Sequence, residues 1–194
     1  MAATEFKANA KANMSDAKGL AGGYFFAAPL GSKKPTDEST ALDEAFKCMG
    51  FIGEDGGTFE SETDSEKLKD MNGDVVHVSV TSHDETVAMV LGEFKKGVLE
   101  LMYGSGSVTD ASGKMTVHQN GAEAPHVIGV FELVLKDGRK LRRLAHDMQV
   151  TELGSLSVKA GELFARECTF TAYKDEESGD YYTDYAASTE TSVG

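Results

Sequence analysis

Residues 126–150, HVIGVFELVLKDGRKLRRLAHDMQV, constrain the fold most strongly. Two apolar runs flank the pair Asp137-Gly138. Such a pair suits a two-residue hairpin turn, whose central residues take positive φ. The pattern predicts an antiparallel hairpin. With a two-residue loop, Glu132 falls opposite Arg143 and can pair with it across the strands. A hairpin alone is marginally stable in water, so further elements must cover its apolar face.

Other segments supply them. DVVHVSVTS (74–82) alternates Val76, Val78 and Val80 with His77, Ser79 and Thr81, the period of a half-buried strand. TVAMVL (86–91) reads as its partner, with SHDET as the turn between. GGYFFAAPL (22–30) and GELFARECTFTAYK (161–174) read as two more strands. Residues 104–125 are turn-rich and hold one short hairpin. Two helices are expected. In ALDEAFKCMG (41–50), Leu42, Ala45, Phe46 and Met49 share one face, Thr40 caps the start and Gly50 ends it. In GEFKKGVLELMYG (92–104), Phe94, Val98, Leu101 and Met102 form the core face and Gly104 is the stop.

The expected organisation is an N-terminal arm (1–20), a β domain (21–175) with an extended loop at about 30–73, and a C-terminal tail (176–194). About seven or eight strands and two short helices, without regular βαβ alternation, predict a mainly β fold. It is an antiparallel sandwich or barrel with a helix packed on it.

Residues 50–70, GFIGEDGGTFESETDSEKLKD, hold seven acids and two lysines, Lys67 and Lys69. The motif Asp70-Met71-Asn72-Gly73-Asp74 begins like a calcium loop. Val75 then stands where glycine is needed and Thr81 where a bidentate carboxylate is needed. A tight turn is the better account of it. Phe51, Ile52, Phe59 and Leu68 argue against plain disorder. The segment reads as a long loop with a short strand that reaches a neighbouring subunit or ring. Its acids Glu54, Asp55, Glu60, Glu62, Asp64 and Glu66 would meet basic residues there, with Arg139, Lys140, Arg142 and Arg143 as candidates. On that reading, reversing Glu60 and Glu62 weakens assembly.

Chemistry is sparse. None of the five histidines stands in metal-ligand spacing, and HExxH, GxSxG and a phosphate-cradling GKS or GKT are missing. No cofactor pattern is found. Cys48 and Cys168 read as free buried thiols. No apolar run approaches a membrane span. The net charge of −13 disfavours ordinary nucleic-acid binding but suits a surface along which a polyanion slides without sticking.

In order and texture the chain resembles the major tail tube proteins of long-tailed, non-contractile bacteriophages, notably those of actinobacterial hosts. The resemblance rests on Gly50-Phe51, Gly53-Glu54-Asp55-Gly56, Glu66–Lys69 and Gly73-Asp74, then VLELMYG, a strong hairpin and CTFTAYKD. It covers residues 20–175. Asp70-Met71-Asn72 departs from the Trp or Gln-Gly common before the GD turn. The resemblance implies a structural virion protein of the tail, assembled in the host cytoplasm. Its hexameric rings stack into a tube for DNA, with the helix outside and arms joining rings. Tape measure, tail terminator and baseplate or tip proteins are then its partners. A monomeric β-sandwich binding module of a virion surface and a small hydrolase are the alternatives.

Overall fold

The structure, a computed structural model, describes residues 14–156 and 158–187. One antiparallel sheet organises them. In chain order its strands are β1 (Ala17–Gly19), β2 (Phe25–Pro29), β3 (Lys47–Cys48), β4 (Ile52–Lys69) and β5 (Val75–Leu91). After the helix α1 (Lys96–Tyr103) and a separate small hairpin, β6 (Val108–Ala111) and β7 (Lys114–Val117), come β8 (Val127–Leu135), β9 (Lys140–Leu156), β10 (Arg166–Ala172) and β11 (Tyr182–Ala186). The spatial order is β3-β2-β8-β9-β10-β5-β4, with β1 added to β8 and β11 to β9.

Two apolar clusters lie on the sheet. The larger joins Phe25, Phe131, Phe170, Val87, Met89, Met148 and Val150 to Val98, Leu101 and Met102 of α1. Phe25 stacks on Phe131 and meets Phe170 edge-on, at centroid distances of 4.8 and 5.9 Å. The smaller cluster, Ala28, Phe46, Ile128, Val130 and Leu144, is joined by Phe26, Leu42, Ala45 and Tyr185.

The hairpin β8–β9 forms as expected, with its register moved by one residue. Its loop has three residues, Lys136-Asp137-Gly138, closed by bonds from Leu135 N to Arg139 O and from Gly138 N to Leu135 O. Gly138 takes φ 86°, the left-handed position that closes such a loop. Glu132 therefore faces Arg142, not Arg143.

The expected helix at 41–50 does not form. Asp37 and Asp43 accept hydrogen bonds from Ser39, Thr40 and Ala45 amides, local turns that compete with a helix. Leu42, Ala45 and Phe46 still bury their faces, as irregular chain leading into β3. Gly50 does take positive φ, 87°, and a Cβ there would lie 2.2 Å from Cδ of Glu93.

The second helix starts later than its pattern suggests. Gly92 N bonds Phe51 O, and Glu93 accepts the Phe51 amide while pairing with Lys95, so the chain stays extended to residue 95. Phe94 is thus exposed before the helix, edge-on to Phe164, and Leu99 joins Val98, Leu101 and Met102 in the buried set. Gly104 ends the helix, its N–H bonding Glu100 O.

Residues 182–186, placed in the tail above, form β11 on β9, and residues 17–19 of the arm form β1 on β8. Residues 1–13 and 188–194 lie outside the described residues. Both cysteines are free, and burial pushes the Cys168 thiol up to about 12.

Candidate assembly surfaces

The acidic stretch is a strand, not a loop. β4 pairs with β5 from Ile52 to Lys69 in one long ribbon. β10 covers the β5 edge only to Glu85. Beyond that pair the ribbon continues for about eight residues a strand, roughly 27 Å. Every residue from Glu60 to Thr81 is exposed. At the tip, Asp70 accepts the amides of Asn72 and Asp74, so the MNGD motif is a capped turn. No cluster of metal ligands exists among the described residues.

SHDET is not a turn. β5 runs through it, and the break in alternation is a bulge. Asp64 pairs with Ser82 but Ser65 with Val80, leaving Thr81 extra. One extra residue moves every following side chain to the other face. One face of the ribbon therefore carries Phe59, Ser61, Thr63, Ser65, Lys67 and Lys69 on β4. Opposite them stand Val87, Glu85, His83, Val80, Val78 and, across a second bulge that leaves Val76 extra, Val75. The other carries Thr58, Glu60, Glu62, Asp64 and Glu66 opposite Ala88, Thr86, Asp84, Ser82 and Ser79. At the base, His83 bonds Thr63 and Glu85, and Tyr181 donates to the His83 carbonyl.

The two faces extend across four strands. Cross-strand neighbours share a face. The row Phe59–Val87–Phe170–Val150 is core, and so is Gly57–Met89–Cys168–Leu153. On the reverse, the rows are Glu60–Thr86–Thr171–Gln149 and Thr58–Ala88–Thr169–Glu152. Small polar and acidic groups make up that reverse face, and Thr151 bonds Thr171 within it.

The basic cluster is largely spent inside the subunit. Arg142, on the smaller-cluster side, bonds buried Glu132 at 2.7 and 2.8 Å and the Asp37 carbonyl at 2.6 Å. Arg143 grips Asp184 with two bonds and lies 4.6 Å over the Phe59 ring. Arg139 bonds Asp137 and the Ala187 carbonyl. Lys140 is exposed. Sequence reasoning missed these partners, because pairing across a sheet depends on register.

Beside the base of β4 lies a groove of about 660 Å³, floored by Tyr24, Ile52, Phe59, Phe131, Leu133 and Leu141. It opens where residues 53–56 of β4 balloon away between the pairs Ile52–Leu91 and Gly57–Met89. Its charged lining is Lys18, Glu54, Asp55 and Arg143.

His146 marks a second polar spot. It is 6% exposed, its Nε2 meets Thr183 Oγ1 at 2.7 Å, and its Nδ1 makes no hydrogen bond. Asp175, held by Lys34 at 2.6 Å, stands 3.8 Å from that Nδ1. Burial, helped by the Lys34 charge, holds the His146 pKa below its ordinary value; Asp175 and Asp180 oppose this. The folded state then binds fewer protons than the unfolded state near pH 6. This contribution is full above about pH 6.5 and is lost as pH falls through the lower folded value. Between pH 7 and 5, the melting temperature of the native protein is expected to fall further than that of His146→Gln. Parallel profiles would remove His146 from the pH response.

Residues 12–190 match the family described as phage tail tube protein. The chain belongs to that family. Its role is structural, as a component of the virion tail. Solved structures similar to this tail tube protein include the anti-feeding prophage tube-terminating cap (13% identity, TM-score 0.44, covering 96% of this chain and 100% of that one). Another is the sheath–tube complex of an extracellular contractile injection system, PVC, in the extended state (11% identity, TM-score 0.42, covering 84% and 89%). No curated protein matches the chain.

Proposed function

We propose that this tail tube protein assembles into hexameric rings that stack into the tube of a long-tailed, non-contractile phage, and that DNA passes through it during infection. The observation that carries this reading is the two-sided four-strand sheet. One side is core and helix; the other bears the rows through Glu60 and Thr58. A ring that joins the β4 edge to the far edge of the next subunit gives a continuous barrel. Such closure removes a long unpaired edge, which is otherwise an aggregation hazard. Turning the polar face inward lines the channel with threonine and carboxylate. Carboxylates repel phosphates, and a repelled polyanion does not stick. Tape measure, terminator and tip proteins would be its partners at the ends and in the bore.

On this reading Glu60 and Glu62 face the bore and do not make the inter-subunit contact expected from their composition. Purified protein is expected to form tubes by negative-stain microscopy, with hexamers by mass. Tubes carrying Glu60→Lys and Glu62→Lys form equally well, and phage built from them eject DNA more slowly. Protein that stays monomeric at high concentration would sink the tube. Unchanged ejection would sink the bore assignment alone.

A further inference from the structure

We infer that the valine-lysine face of the ribbon seats in the groove beside β4 of a second copy of this chain. The inference rests on the tube reading above and gives that assembly a specific contact.

The first observation is uncovered apolar surface on a projecting element. Val75, Val78 and Val80 are 49, 51 and 65% exposed. They line one face of the ribbon with Lys67 and Lys69. The bulge at Thr81 puts Val78 and Val80 there, and a second at Val76 sets Val75 opposite Lys69. With unbroken alternation Val78 and Val80 would share the face of Glu62 and Asp64. Two chemically different faces thus come from two extra residues. One is acidic; the other is apolar with two cations, in a chain of net charge −13.

Two observations point to the occupant. Inside one copy, this face cannot reach the groove. Both lie on β4, and twelve residues of strand separate Asp55 from Lys67, about 40 Å. The groove also offers complementary chemistry. Its floor is apolar, and Glu54 and Asp55 at its edge are exposed. Of its two cations, Arg143 is already held by Asp184, which leaves Lys18 against the two acids. Lys67 and Lys69 of an incoming ribbon would meet Glu54 and Asp55 while the valines cover Ile52, Leu133 and Leu141. Ribbon and groove are different surfaces, so the contact is heterologous. Contacts of that kind close into rings or propagate as filaments, the two growth modes a stacked tube needs. The Arg139–Arg143 cluster is not required for it.

Two charge-reversed full-length variants test the contact: Lys67→Glu with Lys69→Glu, and Glu54→Lys with Asp55→Lys. All four side chains are exposed, so both variants should melt like the native protein. Each alone sets like charges against each other and is expected to raise the critical concentration for tube growth about tenfold or more. Mixed in equal amounts, the acidic ribbon of one finds the basic groove of the other, and the native pair forms in alternation. The mixture should grow tubes at about twice the native critical concentration or below. Either variant assembling alone like the native protein, or a mixture no better than its components, overturns the contact while leaving the tube intact. Native protein that never assembles overturns the tube and the contact together.

Discussion

Replacing Arg142 by methionine is expected to cost about 3–5 kcal/mol of unfolding free energy, because it strands a buried carboxylate. The side chains of Arg142 and Glu132 are only 4 and 7% exposed, and each is the other's charge partner. The guanidinium also holds the Asp37 carbonyl, which pins the β2–β3 connection over Ile128, Val130 and Leu144. Removing both charges removes the stranded group. The double variant Glu132→Leu, Arg142→Met should recover most of the loss, short of about 1 kcal/mol for the missing Asp37 bond. Urea unfolding at low protein concentration checks both, since assembly would otherwise add concentration-dependent stability. A loss below about 1 kcal/mol for the single variant, or a double as unstable as the single, would contradict this account.

The parts of this fold legible in the sequence are those with one buried face. β8 and β9 announce themselves through apolar runs about Asp137-Gly138, and α1 through Val98, Leu101 and Met102. β4 does not, because most of it buries neither face. Glu60, Glu62 and Asp64 alternate with Ser61 and Thr63, so the usual period of two has no apolar partner to display. β11 was hidden similarly, within an acidic segment whose inward groups are Tyr182 and Tyr185. The bulge at Thr81 shows the converse problem. The phase break is visible in the sequence, but a bulge and a turn break phase alike. Only the pairing of Asp64 with Ser82 separates them. The same single-residue sensitivity moved Glu132 from Arg143 to Arg142. The acids of residues 54–66 are all exposed, as an acidic composition suggests. Their sidedness, the exposed valine face and the groove at Ile52 and Leu133 needed the register.

Removing the ribbon should abolish tube growth and leave the subunit folded. Ser61 and Glu85 face each other across the hairpin, so an Asn-Gly turn can join them in place of residues 62–84. The excised residues take no part in either apolar cluster. Their ties to the body are the Thr63–His83–Glu85 bonds and the Tyr181 contact, all exposed. Losing them is expected to cost about 1 kcal/mol or less, too little to unfold a domain of this size. What the deletion does remove is the valine face, both lysines and most of the acidic face. The shortened chain is therefore expected to grow no tubes at concentrations where the native chain does, while keeping a β-rich circular dichroism spectrum and a cooperative unfolding transition. Tubes of native diameter from the shortened chain would take the ribbon out of assembly. Growth would then depend on the Ile52–Ser61 edge of β4 alone, since that edge survives the deletion. The deletion and the single charge-reversed variants thus separate the two ways this strand can bind a neighbour. Edge pairing uses backbone groups and tolerates both changes; face docking tolerates neither, and it alone is restored when the two charge-reversed variants are mixed.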